Sequence, residues 1–392
     1  SPGGTLTLGG ANTYTGATSL LNCGLTLTAN ATSTISGSSG LTLCNSTFTA
    51  SYASGIVDKL KDAGNVSMRN NSFINLTGNA SDTTETITGL EIGAGNNTIT
   101  ITTSGTAVTT LAASTLSRSN FGTGLLIGSS LGQQATSVSK ISLTTPPSGV
   151  DLVGAGGAAA GTGSVKNLGI VPWLAGNPAA AGTAARELVT YDTSLGSLRA
   201  LVSNEYDSAG TIAGATSGNN VKSATVSETG LTSTTLNALL LAPTADQTIA
   251  GDPGNTLTLT SGLLASAMSS GAAGTAAFNS TISGFDAIAF GNNEAIIRTA
   301  QTGGNITINS PITVTGGGGL TKTGPGTVTL GAANTYTGPT TICQTALATT
   351  VNNVFNGSTG TAIVISNNGQ LNVNATTHKI TSLTINGAGN AG

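Results

Sequence analysis

Charge is what this sequence lacks most. Asp, Glu, Lys and Arg together make up 7% of its 392 residues, against roughly 25% in an ordinary soluble domain. Aromatic residues reach only 3%, with a single Trp and a single His. No run of Lys or Arg exists, so the electrostatic footprint of a nucleic-acid or anionic-membrane binder is missing. No apolar stretch approaches the roughly 18 residues of a spanning helix. Ser1-Pro2-Gly3 has neither the basic start nor the apolar stretch of a signal peptide, and both ends read as cut from something longer. The three cysteines, Cys23, Cys44 and Cys343, form no C-x-x-C pair, which leaves a zinc site unsupported.

What is present is glycine and small apolar residues. There are 56 glycines, hydrophobic residues reach 38% and the net charge is −3; mean hydropathy is +0.20. This is not the charge-rich, apolar-poor composition of a disordered chain. The length alone suggests two or three domains. Short runs of strict alternation dominate: Leu6/Leu8, Leu25/Leu27, Leu41/Leu43, Ile99/Ile101, Leu257/Leu259, Ile306/Ile308, Val328/Leu330, Ile363/Ile365, Leu371/Val373 and Leu383/Ile385. Alternation at period two is the strand signature, and Thr on the other face suits a half-exposed pleated strand. Gly, Asn and Ser clusters separate the runs. "STTLNALLLA", from Ser233 to Ala242, reads equally as a strand or as one or two helical turns. The early pairs recur about every 16 to 22 residues, the spacing of stacked solenoid coils. At roughly 22 residues per coil the chain would form one rod of about 18 coils, near 85 Å long. The competing architecture is a β-sandwich, whose hairpins favour two-residue "NG" or "DG" turns; "DG" is absent, while "NG" occurs at Asn356-Gly357 and Asn386-Gly387. The predicted fold class is therefore all-β, an elongated parallel β-helix.

One phrase returns. Gly4 to Leu20 aligns with Gly326 to Ile342 at an offset of 322, with 12 of 17 positions identical. Each copy reads as a strand, a Gly/Asn turn, a rigid Tyr beside the corner and a second Gly turn. Asn12, Tyr14 and Gly16, with Asn334, Tyr336 and Gly338, are thus assigned as a structural turn motif. Leu8 and Leu330 should be buried, and Thr5, Thr7, Thr327 and Thr329 should face out.

"GGLTKTGPGTVTLGAANTYTGPTTI", from Gly318 to Ile342, resembles the autotransporter-associated β-strand repeat, also called the passenger-associated transport repeat. The middle of the chain, including "NLGIVPWLAGN" from Asn167, "ELVTYDTSLGSLRAL" from Glu187, "SNEYD" from Ser203 and "GIVDKLKDAGNVSM" from Gly55, is similar to the long proteins in which such repeats are embedded. "TTICQTALATT" departs from the family's usual "TTI-N-G-G-T-L" after Ile342. The resemblance implies an exported passenger of a Gram-negative-type bacterium, at the cell surface or outside it, built as a right-handed β-helix. It also implies that the chain is a segment of a longer protein with a unit of roughly 322 residues.

Charge placement suggests the internal organisation. Residues 1–57 hold no Asp, Glu, Lys or Arg, and after Arg298 only Lys322 and Lys379 are charged. Segment 166–228 holds Lys166, Arg186, Glu187, Asp192, Arg199, Glu205, Asp207, Lys222 and Glu228, with Trp173, Tyr191 and Tyr206. The expected divisions are uncharged coils at 1–57, further coils at 58–165 ending in a Gly/Ala-rich connector (Gly154 to Lys166), a looped-out or contact region at 166–228, coils at 229–323, and the next unit at 324–392. Trp173, Tyr191, Arg199, Glu205, Tyr206 and Asp207 form a candidate contact patch. Cys23 and Cys44, 21 residues apart, are a candidate disulfide between neighbouring coils, although their strand parity differs. Cys343 is then a candidate interchain thiol.

Catalytic constellations are weak. His378 with Lys379 reads as an exposed strand position. Glu205 and Asp207 share a face if extended, as paired glycosidase carboxylates do, but could equally bind a cation or be solvated. The glycine fragments of 154–166 lack the phosphate-loop spacing, and the G-G-x-G-x-D calcium pattern is missing. No cofactor and no catalytic residue is assigned. The expected function is a non-enzymatic, self-associating segment of a surface fibre, since an uncharged Thr/Ser/Asn surface does little to oppose lateral association. Its partners would be copies of itself or adjoining repeats. The alternatives are an adhesin gripping glycans or cell surfaces through 166–228, and a polysaccharide-degrading β-helix enzyme.

Overall fold

The alternating runs do form strands, and the strands pair in parallel with the runs one coil away. The computed structural model describes residues 3–386 except 31, 54–57, 157–164, 180–184, 226, 268–276, 358 and 367. Most of the Gly/Ala-rich connector at 154–166 therefore lies outside the described residues. The protein is an all-β parallel solenoid, and its coils form two stacks.

In the first stack, one column holds Thr5–Leu8, Gly24–Leu27, Thr47–Ser51, Phe73–Thr77, Asn96–Thr102, Thr123–Gly128 and Leu174–Asn177. The facing column holds Thr18–Leu21, Gly40–Cys44, Asn65–Arg69, Thr83–Ile92, Val108–Arg118 and Val138–Leu143. Register keeps like above like: Leu25 lies beside Phe48 and Phe48 beside Ile74. The inward ladders Leu25/Leu27, Leu41/Leu43, Val66/Met68 and Ile99/Ile101 are all buried. Corners repeat too. Asn22, Asn45, Asn70, Asn71 and Asn120 all take positive φ, the left-handed backbone that Asn tolerates best after Gly. Asn45 Nδ2 donates to Asn22 Oδ1 at 2.6 Å, stapling successive corners.

The second stack starts at Asn220. One column runs Ser227–Leu231, Gln247–Gly251, Ser280–Ser283, Ile306–Ile308, Val328–Leu330, Thr345–Thr349 and Gly369–Asn372. The other runs Asn220–Ser223, Thr234–Leu241, Thr256–Ser266, Ala295–Arg298, Leu320–Thr323, Thr340–Ile342, Thr361–Ile365 and Ile380–Ile385. Strands continue through 323–324 without a break in pairing. "STTLNALLLA" resolves as the strand Thr234–Leu241.

The single long rod expected from coil spacing is thus corrected to two rods of about seven coils, each near 34 Å long at about 4.8 Å per coil. The reason lies at one end of the first stack. Leu174–Asn177, Glu187–Asp192 and Ser197–Ala200 pair antiparallel and join Leu174's column to Val138–Leu143 in the other. That antiparallel cap satisfies the edge and stops further parallel stacking. The chain then turns back. Asn237 Nδ2 donates to the Val153 and Leu168 carbonyls, Arg298 reaches Trp173 and Gly124, and Gln344 accepts from Asn96 at 2.8 Å. As the second stack advances, its first-stack partners move backwards in sequence, so the stacks run antiparallel. Ala238, Leu240, Leu263, Ala265 and Ile296 face the first stack and belong to its core cluster, while Leu239, Leu241 and Leu264 face inward. Strands buried on both faces read as continuous apolar runs rather than alternating ones.

The open end holds the edge strands Thr5–Leu8 and Thr18–Leu21 of one stack and Gly369–Asn372 and Ile380–Ile385 of the other, each paired on one side only. Here Thr5 and Thr7 face solvent as expected, but Leu6 is 59% exposed and Leu8 half-buried. Val328 and Leu330, their counterparts, are fully buried. The difference is the coil that covers the second copy.

Candidate functional site

The repeated phrase makes a corner. In the second copy, Asn334 ties three coils together. Its backbone N–H and its Nδ2 both donate to the Val354 carbonyl one coil on, at 3.3 and 2.8 Å. Its Oδ1 accepts from the Ile312 N–H one coil back, at 2.7 Å. Tyr336 is fully buried and shares a hydrogen bond with Thr340 at 2.7 Å; burial raises its phenol above the usual range. A Cβ on Gly338 would sit 2.6 Å from the Gly317 carbonyl in the coil before. The first copy repeats half of this. Asn12 donates through N and Nδ2 to the Thr34 carbonyl at 3.3 and 3.0 Å, and Tyr14 bonds Thr18 at 2.8 Å. Tyr14, however, is 42% exposed and a Cβ on Gly16 would meet nothing within 4 Å.

After Ile342 the chain departs from the expected glycine turn. Thr345 takes φ +56°, rare for a β-branched residue, and its N–H donates to the Asn368 carbonyl at 2.7 Å.

The coil carrying the second copy and the coil before it also build the seam between the stacks. Arg118 grips Glu294 with two bonds of 2.6 and 3.2 Å, and Thr123 shares a hydrogen bond with Thr323 at 2.6 Å. Arg298, 4% exposed, donates to the Gly124 and Trp173 carbonyls and to Asn96 Oδ1, with no carboxylate partner among the described residues. Burial brings its guanidinium down to about 10, and the charges of Arg186 and Arg118 add to this. Lys322, fully buried, donates to the Gly324 and Gln344 carbonyls; burial lowers its ammonium to about 7. Beside the seam lies a cleft of about 380 Å³ lined by Phe73, Asn71, Asn96, Arg186, Arg298 and Gln344 among others.

Residues 3–22 and 320–344 match the passenger-associated-transport-repeat family model. The chain carries two passenger-associated transport repeats. No curated protein and no solved structure matches the chain. Such repeats belong to autotransporter passengers, which are exported to the cell surface. The repeat in this chain is therefore a coil within a solenoid, its Asn, Tyr and Gly serving the corner.

The other singled-out residues lie mostly inside the protein. Around the repeats, Cys23 and Cys44 are free and half-buried. Cys44 stands in register with Leu21, not Cys23, so the candidate bridge is not formed. Cys343 is fully buried, its Sγ 3.5 Å from the Phe121 carbonyl, and burial pushes its thiol up to about 11. That placement offers nothing to another chain.

The candidate contact patch is the first stack's end cap and its junction with the second stack. Trp173 is 1% exposed and donates from Nε1 to Asp151 at 2.9 Å. Tyr191 donates to the Leu143 carbonyl at 3.3 Å. Arg199 is fully buried between Asp192 (Nε to Oδ2, 2.9 Å) and Glu205 (2.7 and 2.6 Å). Tyr206 donates to Glu187, which also takes the Lys222 ammonium at 2.5 Å. Burial opposes ionisation of Asp207, but hydrogen bonds from Ala209, Asn219 and Thr216 outweigh it and hold the carboxyl below the usual range. Glu205 and Asp207 thus serve separate networks rather than one face.

His378 sits off the strands. Thr349 and Thr376 lie 2.9 and 2.6 Å from its Nε2, and burial lowers its pKa. Sequence reasoning missed the Tyr52–Lys59–Glu85 cluster. Glu85, 1% exposed, accepts from the Tyr52 hydroxyl and the Lys59 and Leu60 N–H groups; burial raises it to about 7. Lys59 donates to the Thr28, Asn30 and Ser33 carbonyls. The available signal was a pair of charges entering a chain otherwise free of them since residue 1.

Proposed function

We propose that this chain is a non-enzymatic structural segment of an exported bacterial surface protein, a coil-stacked passenger whose partners are coils of its own kind. The observation that carries this is the second repeat, where one Asn side chain joins three coils. Its polar groups are spent on stacking rather than aimed at a ligand. The test is antibody labelling of the source bacterium, with electron microscopy. Labelling of intact cells, on fibrous surface material, is expected. Signal that appears only after lysis would sink the reading.

A second reading, display of an adhesive surface, is favoured by the inter-stack cleft. Phe73 is 41% exposed at a cleft that also holds Arg186 and Arg298. An aromatic face, amide side chains and the Arg298 guanidinium, whose bonds among the described residues go to carbonyl oxygens, suit a sugar bearing a carboxylate. The expected result is binding of acidic oligosaccharide that Phe73→Ala weakens by about tenfold, or about 1.4 kcal/mol. Equal binding by the variant would remove this reading.

A further inference from the structure

The cleft between the stacks has a direction. Its floor is one row of first-stack side chains held in register across four strands: Phe73 beside Thr98, Thr98 beside Leu125 and Leu125 beside Ala175. Three steps of about 4.8 Å set Phe73 and Ala175 about 14 Å apart. The facing wall is one corner of the second stack, where Ala300, Pro325 and Gln344 follow the ends of three neighbouring strands of one column. Both sides therefore add one residue per coil, and the cleft runs along the stacking axis. Its chemistry changes along that axis. Phe73 stands exposed at one end. The Asn96 and Gln344 side chains meet in the middle. Arg298 reaches Gly124 and Trp173 towards the other end, where Arg186 precedes the strand paired with Leu174–Asn177.

We infer that this cleft takes a linear acidic glycan lying along the coil axis, with one ring on Phe73 and the carboxylate of a different ring at the Arg186–Arg298 end. This rests on the adhesive reading above and adds the ligand's length and polarity. Two observations carry the charge. The cleft holds two guanidinium groups and, among the described residues that line it, no Asp or Glu. Arg298, itself buried, has an Nε without a hydrogen-bond partner among the described residues. A buried donor left unpaired costs stability, and an incoming carboxylate offsets that cost. The charge of Arg186 helps to lower the Arg298 guanidinium, so the two groups lie within electrostatic reach and one anion answers both. The spacing carries the length: a ring seated on Phe73 cannot present its own carboxylate about 14 Å away. An extended peptide fits less well. The strands that form the floor and wall are each paired on both sides, so a peptide backbone finds no edge to join. Sugar hydroxyls, by contrast, suit Thr98 and the Gln344 amide.

The test is isothermal titration calorimetry of the 392-residue chain with tetramers of galacturonate and of mannuronate, their monomers and their methyl esters. One tetramer at least should bind about tenfold more tightly than its own monomer and its own ester. Arg186→Gln should shrink the preference for acid over ester. A merely structural loss would leave that preference in place, because it weakens both ligands alike. Tetramers bound no better than their monomers overturn the inference and leave the adhesive reading standing. A preference for acid that Arg186→Gln leaves intact overturns the placement of the carboxylate. Binding of none of the acids removes the adhesive reading and this inference together.

Discussion

Asn12 and Asn334, 322 positions apart, donate from the same two atoms to the next coil, but among the described residues only Asn334 also accepts from the coil before. The same side chain is a staple between three layers in one place and a half-used staple at an edge in the other. Asn334→Ala would remove the donor to Val354 and leave the buried Ile312 N–H unpaired, at about 2–4 kcal/mol in urea unfolding. Asn12→Ala should cost about 1 kcal/mol or less. Equal losses would refute the distinction.

The glycines that follow should separate the same way. Gly338→Ala drives a Cβ to 2.6 Å from the Gly317 carbonyl, against rigid backbone. It should cost at least about 1–3 kcal/mol through forced backbone shifts. Gly16→Ala meets open space and should leave the melting temperature of the isolated chain unchanged.

Arg199 neutralises two carboxylates in the cap, with every group nearly dry. Arg199→Met would leave Asp192 and Glu205 buried without their cation. The expected loss is about 3–5 kcal/mol, read by urea unfolding. Survival of the variant at wild-type stability would mean the network contributes little.

Two buried groups set opposite pH slopes. Glu85 is raised from its ordinary 4.5 to about 7 by burial, so its folded form favours the proton; its contribution is full at the acid side and is lost as pH rises from about 4.5 through about 7. Lys322 is lowered from 10.5 to about 7, so its contribution is full in alkali and is lost as pH falls from about 10.5 through about 7. Glu85→Gln should flatten the first slope, by up to about 3 kcal/mol. Lys322→Met should flatten the second. Denaturation midpoints across pH 4.5–10 measure both.

Thiol titration checks the cysteines. Cys23 and Cys44, half-buried and free, should react before the buried Cys343, and all three should react on unfolding without reductant. A stable pool of unreactive thiol in denaturant would point to a bridge.

Much of the architecture was legible because period two is local: the pairs at Leu25/Leu27 and Ile306/Ile308 needed no partner to be recognised as strands. The turn back was also written, though less plainly. Ala238–Leu241 and Leu263–Ala265 abandon alternation because both faces of those strands are covered. The charges of 166–228 misled for a different reason. Arg199, Glu205 and Asp192 look like surface residues one at a time, and only their mutual pairing makes a dry interior tolerable.

By itself the sequence determined the strands, the Gly and Asn corners and the repeated coil, since each depends on neighbours within a few residues or on one copy of a phrase matching another. Only the tertiary structure decided that the coils form two antiparallel stacks rather than one rod. It also decided that Tyr336 is buried while Tyr14 is bare. Whether a coil is covered depends on what stacks upon it, and that contact is made across the fold, not along the chain.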